Sequence, residues 1–211
     1  MAAATIALRS YLAELATSPL ASWADFEPWQ ITLGSQAVVR RLLEDLNPSD
    51  YVIDNEIAVH KRAVVEPSAV LKGPLILSAG VFVASSAYLR GGNWVDERCT
   101  IGPGSELKSS FLFSGSKLAH FNFVGDSILG SDVNLEAGSV VCNYRNERSN
   151  KEIRVRICAV LQGTGVDRFG AVIGDGSRIG ANAVVAPGAL LTPGSIVRRA
   201  ALRDDELEAT R

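Results

Sequence analysis

In the middle of the chain every sixth residue is aliphatic or otherwise apolar, and this phase holds for about sixty residues. The series runs Val59, Val65, Leu71, Leu77, Val83, Leu89, Val95, Ile101, Leu107, Phe113, Ala119. It resumes as Leu129, Leu135, Val141 and again as Ile173, Ile179, Val185, Leu191, Val197. A helix repeats near 3.6 residues and a strand near 2, so neither produces a period of six. A coil with three flat faces does: each face takes six residues, one inward anchor and one small residue at the corner. Small residues do recur four places after the anchor, at Ala63, Ala69, Ala87, Cys99, Ser105, Ser139, Ser177, Ala183, Ala189 and Ser195. Hexapeptide repeats of this kind predict an all-β chain wound as a parallel β-helix. Each fully buried anchor contributes roughly 1.5–3 kcal/mol, and neighbouring coils support one another.

Composition narrows what such a coil could do. The apolar fraction of 47% supplies a core, while a net charge of −2 gives no support for nucleic-acid or polybasic membrane partners. No stretch approaches the roughly 18 apolar residues that cross a bilayer, and MAAATIALRS lacks the pattern of a secretory signal. The expected location is therefore cytoplasmic. Three cysteines, Cys99, Cys142 and Cys158, are an odd count and are expected to be reduced and structural. No metal site is expected. A three-His zinc site, as in a γ-class carbonic anhydrase on the same kind of coil, cannot be built from His60 and His120, which lie far apart in sequence.

Residues 1–50 stand outside the six-residue phase and read as a helical cap. Thr5 is placed to cap a helix carrying Ile6, Leu8, Leu12 and Leu15. Thr17 to Pro28 reads as a connection, and Ser35 to Leu46 as a second helix with Val38, Val39, Leu42, Leu43 and Leu46 on one side. The cap is expected to cover one open end of the coil. Residues 51–199 form the coil, with an excursion at 145–172 in which Glu152 to Ile157 alternates as a strand would and Gln162-Gly163-Thr164-Gly165 marks a turn. The excursion carries Arg145, Arg148, Lys151, Arg154, Arg156 and Arg168, which read either as a solvated arm or as a clamp for phosphates. Residues 200–211 form an acidic tail, expected to be a short frayed helix without a role.

One region departs from bland repeat sequence: Ser116-Lys117-Leu118-Ala119-His120, then Gly125-Asp126, Val133-Asn134-Leu135-Glu136-Ala137-Gly138 and Cys142-Asn143-Tyr144. A structural coil has no need of these polar groups, and side-chain parity allows them on the outer faces. This pattern resembles the acetyltransferase domain of the bifunctional N-acetylglucosamine-1-phosphate uridylyltransferase/glucosamine-1-phosphate acetyltransferase family. That family has Ser-Lys-x-x-His … Gly-Asp, then Val-Asn-x-x-Ala-Gly, then Cys-Asn-Tyr. Leu89-Arg90 and Glu106-Leu107-Lys108 fall at the spacing of the family's Arg and Glu-x-Lys. The resemblance covers roughly residues 58 to 197, and the stretch from the excursion to Gly174 looks closer to archaeal-type sugar-phosphate enzymes. Residues 1–50 show no Gly-rich phosphate loop, so uridylyl transfer is not expected of this chain.

The resemblance implies a left-handed parallel β-helix working as a homotrimer, with the site in a groove between neighbouring coils. Acetyl-CoA would be the co-substrate and the 2-amino group of an amino sugar phosphate, or of a nucleotide amino sugar, the acceptor. His120 matches the general base: a sugar ammonium is not a nucleophile, and an imidazole changes charge near neutrality. Arg90 and Lys108 would hold the sugar's phosphate, Glu106 would orient the amine or the imidazole, and Asn134 would hydrogen-bond the sugar. Lys151 matches a phosphate-binding lysine, two residues further from the Tyr than in the family. Ala137, Asn143, Tyr144 and Ala181 would contact acetyl-CoA, with a backbone N–H stabilising the developing oxyanion. Three departures stand out. Phe123 replaces a sugar-contacting Tyr, Glu136 replaces a Gly beside Ala137, and Arg145-Asn146 replaces an Asp-Gly. They point to a changed acceptor or, in the alternative reading, to a non-catalytic hexapeptide coil that binds sugar nucleotides or assembles subunits.

Overall fold

The structure is a computed structural model and describes residues 6–207. Thr5 and Glu208, parts of the expected N-terminal helix and acidic tail, lie outside the described residues.

Three parallel faces wind around one apolar interior, and the chain is the left-handed parallel β-helix that the hexads and the resemblance imply. The first face holds Ile57–His60, Leu75–Leu77, Asn93–Val95, Phe111–Leu112, Ile128–Leu129, Ala171–Ile173 and Ala189–Leu191. The second holds Val64–Val65, Phe82–Val83, Thr100–Ile101, Lys117–Leu118, Asn134–Leu135, Arg178–Ile179 and Ile196–Val197. The third holds Val70–Leu71, Tyr88–Arg90, Glu106–Lys108, Phe123–Gly125, Val140–Val141, Val184–Val185 and Leu202–Arg203. Each strand pairs with the equivalent one a coil away, for instance Leu107 with Leu89 and Val124. At the start of the first face Tyr51–Asp54 folds back antiparallel on Ile57–His60 and covers that edge.

The interior stack is Leu77, Val83, Leu89, Val95, Ile101, Leu107, Leu112, Leu118, Val124, Leu129, Leu135, Val141, Ile173, Ile179, Val185, Leu191 and Val197. Phe113 and Ala119, expected as anchors, are not in it. The corner after Lys108 is one residue shorter than the corner after Arg90, so Leu112 pairs with Val95 and Phe111 with Trp94. A second short corner after Gly125 restores nothing but carries the shift on to Leu129. Phe113 faces outward and meets Trp94 edge-on, with ring centroids 5.3 Å apart.

The N-terminal segment covers the outer side of the first face, not an end of the coil as expected. The reason is apolar surface: Ile76, Trp94, Phe111, Phe113, Ile128, Val172 and Leu190 face outward there and need a cover. Ile6, Leu8, Leu12 and Leu15 are all buried, but in place of one helix there are two short 3-10 turns, Leu8–Ser10 and Ala13–Thr17, which carry Leu8 and Leu15. The expected connection contains a further 3-10 turn, Pro19–Trp23, and then α1, Pro28–Leu33, opened by a Glu27–Gln30 capping box. Helix α2, Ser35–Glu44, follows the expected apolar side with Val38, Val39 and Leu42 buried. Its first turn docks on the Gly91-Gly92 corner, where Ser35 Oγ donates to Gly91 O at 2.9 Å. A Cβ on Gly92, which has φ +94°, would stand 2.7 Å from Gln36 N, so only glycine admits this helix.

The excursion is a hairpin, Arg154–Ile157 paired with Val160–Gly163, and it too lies against the first face. Ile153 and Val155 are fully buried there, so it is no solvated arm. Its turn is at Cys158-Ala159, both at positive φ, rather than at residues 162–165. Three of its six cations are spent within the chain. Arg145 is 4% exposed and forks onto Asp204 at 2.7 and 2.9 Å, Arg148 pairs with Glu206, and Arg156 donates to Asp205 O at 2.7 Å. The acidic tail is thus a latch: Asp204 and Asp205 are buried and hold the hairpin to the last coil.

All three cysteines are free. Cys99 fills an interior corner, where burial pushes its thiol up to about 12. Among the described residues no helix is long and apolar enough to cross a membrane.

Candidate active site

His120 sits exposed at the corner between the second and third faces. The residues stacked beneath it along that corner are Ala137 and Ala181. The rungs are joined by backbone bonds: Gly138 N–H to His120 O at 2.9 Å, Asn182 N–H to Ala137 O at 3.0 Å and Ala200 N–H to Ala181 O at 2.9 Å. Three of the expected site residues therefore form one column. Asn134 stands beside it on the second face, paired with Lys117 and Arg178 on adjacent coils.

The corner is braced from inside. Asn122 faces inward and is 2% exposed. Its Oδ1 accepts from His120 N–H at 3.0 Å, and its Nδ2 donates to Glu136 O at 2.8 Å and Ser139 Oγ at 2.9 Å. One interior amide thus fixes both the rung that carries His120 and the rung that carries Ala137. A polar residue at an interior corner survives because every group it offers is bonded.

The third face carries the expected anion-binding residues, each already paired. Arg90 Nε donates to Glu106 Oε1 at 2.8 Å, and the Arg90 guanidinium lies 5.7 Å from the Tyr88 ring centroid. Lys108 Nζ holds both oxygens of Asp126 at 2.9 and 2.7 Å. Asp126 is 4% exposed and also accepts from Asn143 Nδ2. Gly125 makes room for this: a Cβ there would lie 2.6 Å from Asn143 Nδ2. Phe123 stands next to Glu106 in the ladder, on the side of the face nearer His120. Arg90 and Lys108 pair with each other at the far side.

Asn143, Tyr144 and Lys151 lie at that far side as well, beyond the strand Val140–Val141 that follows the Ala137 corner. Lys151 Nζ is 5.2 Å from the Tyr144 ring centroid and the Arg168 guanidinium 4.1 Å. Within one chain, then, the residues expected to touch acetyl-CoA are split between two corners: Ala137 and Ala181 at one, Asn143 and Tyr144 at the other.

Below His120, along the second face, runs an open groove of about 480 Å³ lined by Asn134, Glu136, Arg178, Ile179, Gly180 and the stretch Ile196 to Arg199. Glu136 reaches across it. Its Oε2 accepts from Ala181 N–H at 2.9 Å, and Arg199 grips the carboxylate at 2.8 and 3.0 Å. Arg199 and then the Ala181 amide hold the Glu136 carboxyl below the usual glutamate range. Arg178 is spent on backbone carbonyls, Asp132 O at 2.6 Å and Gly176 O at 2.8 Å. His60, by contrast, is structural: its Nδ1 accepts from Arg62 N–H at 3.0 Å, and its ring meets Tyr51 edge-on.

The sequence reading missed Asn122, Asp126 and Arg199 as parts of this site. Asp126 was visible in the Gly-Asp motif. Asn122 was visible as a polar residue in a corner position, once the short corner after Lys108 is recognised. Arg199 had no local signal.

With this geometry in view, the relatives are informative. The chain is 29% identical over 190 residues to a bifunctional sugar-1-phosphate nucleotidylyltransferase/acetyltransferase from Sulfurisphaera tokodaii, a match covering 84% of this chain and 46% of the relative. It is similar to bifunctional sugar-1-phosphate enzymes. A second relative, the bifunctional protein GlmU of Methanococcus vannielii, is 27% identical over 193 residues, covering 88% of this chain and 45% of the relative. The chain spans about half the length of the curated relatives it matches, within their C-terminal half. No protein-family model matches it. Among solved structures, a hexapeptide transferase family protein from Anaplasma phagocytophilum aligns with 69% of this chain and 72% of its own, at 17% identity and a TM-score of 0.36.

Proposed function

We propose that the chain is an acyl-CoA-dependent N-acyltransferase that moves an acetyl group from acetyl-CoA to the amine of an amino sugar phosphate or nucleotide amino sugar. The observation that carries this is the corner column: an exposed imidazole at His120, with the Ala137 and Ala181 rungs and an open groove below it. The similarity to enzymes named as acetyltransferases supports the reaction class. In this reading His120 takes the proton from the amine as it attacks the thioester carbon. A backbone N–H of the column donates to the oxyanion, and CoA leaves as the thiol. Phe123 and Glu106 flank the amine, Asn134 holds the sugar from the second face, and Arg90, Lys108 and Lys151 supply cations for its phosphate. Lys108 and Arg90 would exchange their present carboxylate partners for that phosphate in part, which makes phosphate affinity modest and salt-sensitive.

A thiol-release assay with acetyl-CoA tests the proposal. With glucosamine 1-phosphate or a nucleotide amino sugar as acceptor, the expected result is turnover that depends on both substrates. Absence of turnover with every amino sugar tried would favour the second reading, a non-catalytic sugar-nucleotide-binding or assembly coil. Two observations favour that reading: Glu136 on the Ala181 amide, and the carboxylate partners of both third-face cations.

A homotrimer completes the site. In this reading a second copy brings its Asn143–Tyr144 corner to the Ala137–Ala181 corner of the first. The first face is covered by the chain's own N-terminal segment and hairpin, so copies must meet through the second and third faces. Those surfaces carry the large exposed apolar groups Phe121, Ile196 and Leu202, and Phe121 adjoins His120. Light scattering is expected to report three times the 22.4 kDa chain mass. Phe121→Asp is expected to shift that mass toward the monomer, and a wild-type monomer that is fully active would remove the shared site.

A further inference from the structure

We propose that Glu136 and Arg199 form a displaceable clasp over the Ala181 amide, so that this chain's groove is closed by its own carboxylate until an acyl-CoA pushes it aside. The inference rests on the acyl-CoA reading above and adds a residue that sets how tightly and how selectively the groove accepts its ligand.

Three features of the groove lead to it. The backbone ladder uses the amides of Gly138, Asn182 and Ala200 to join one corner rung to the next, whereas the Ala181 amide points out of the ladder and takes a side-chain acceptor. An outward amide in a groove is a recognition group for a carbonyl, carboxylate or phosphate oxygen. Here the acceptor is supplied from within, by a residue whose backbone carbonyl is itself pinned by Asn122. The tether is fixed, and the carboxylate at its end is free to turn.

The clasp is also weak. The Glu136 side chain is 37% exposed and Arg199 is 75% exposed. Pairs this open to water gain little over hydration and lose side-chain freedom when formed. Burial does not trap them. A ligand oxygen that reaches the Ala181 amide replaces one acceptor with another, so the exchange leaves no amide unpaired.

Charge supplies the direction. When Glu136 swings out, the groove loses its only carboxylate among the lining residues and keeps Arg178, Arg198 and Arg199. Arg199, released from the pair, becomes available to an anionic ligand. The closed groove is therefore poorly matched to a neutral or cationic occupant, which cannot recruit the arginine, and opens for one that brings both an oxygen acceptor and negative charge. CoA has both.

Calorimetric titration of the full chain with coenzyme A tests the clasp. Glu136→Ala is expected to bind CoA about tenfold more tightly than wild type, which is the loss of one competing acceptor and one repelling charge. Glu136→Gln keeps an acceptor for the amide but cannot hold the guanidinium as an ion pair, and its affinity is expected to fall between the two. Raising the salt should narrow the gap, because part of it is charge. Equal or weaker CoA binding by Glu136→Ala, in a wild-type background that transfers acetyl groups, overturns the clasp and leaves the acyltransferase reading standing. No CoA binding by either protein overturns the acyl-CoA reading and the clasp with it. The substituted side chain is exposed, so an unchanged melting temperature confirms that folding is not what the titration reports.

Discussion

If His120 is the general base of the proposed transfer, His120→Ala is expected to lower the rate at least about a hundredfold, the usual cost of losing a positioned general base, while CoA affinity stays within about twofold of wild type. The separation of the two effects follows from where the ring is. Among the described residues the imidazole makes no hydrogen bond, and only the backbone of His120 is held, by Asn122 and by Gly138. Removing the ring therefore leaves the corner, the Ala137 and Ala181 rungs and the groove intact. What the proposed reaction would lose is the group that accepts the amine's proton as the tetrahedral intermediate forms. The measurement is a pair: steady-state thiol release for the rate, and calorimetry for CoA binding. A variant that keeps the full rate would remove His120 from the chemistry, and one that loses CoA binding together with rate would make it a binding residue.

Arg145→Met should destabilise the chain by about 3–5 kcal/mol, because it strands the buried Asp204 carboxylate and leaves Glu206 with Arg148 alone. Arg145 is 4% exposed, and its guanidinium serves Asp204, Glu206 at 3.3 Å and Pro187 O at 3.0 Å. A chain of this length loses about 2–4 °C in melting temperature per kcal/mol, so the expected drop is on the order of 10 °C. Adding Asp204→Asn should recover part of it, since the uncompensated charge is what costs most. The latch also sets a pH dependence. Burial alone would raise the Asp204 carboxyl, but the Arg145 fork and charge outweigh it and hold the group below the ordinary aspartate range. A carboxyl depressed in the folded state adds stability above its unfolded value and loses it as pH falls through the folded one. Wild type should therefore lose the latch's contribution below about pH 4, and Arg145→Met should show no such step. Equal melting temperatures for the two proteins at pH 7 would mean that the hairpin and tail hold without the pair.

Much of the coil could be read directly. A period of six admits few solutions, and fourteen of the sixteen anchors expected after Leu71 lie in the interior stack, on strands that repeat from coil to coil. The reading failed at Phe113 and Ala119 because the corner after Lys108 is short and the residues on both sides of the slip are apolar, so the pattern persisted after the register had moved. It failed for the cap because amphipathic segments announce that they need an apolar partner without saying which surface offers one. Trp94, Phe111 and Phe113, facing outward on one side only, made that choice.

At the site the division follows sequence distance. Hexad register is a local property: it aims His120 out at a corner, turns Leu118 in, and would do so in any coil with the same repeats. From the sequence alone come the coil and the order of residues around each turn; the register at His120 was set by the short corner after Lys108. Tertiary structure alone decided which charges meet. Glu136 finds Arg199 across 63 positions and Arg145 finds Asp204 across 59. Such pairs depend on how many coils and how long an excursion separate them, and each short corner moves every later side chain. The chemistry of a groove built from stacked rungs is thus fixed only when the stack is complete.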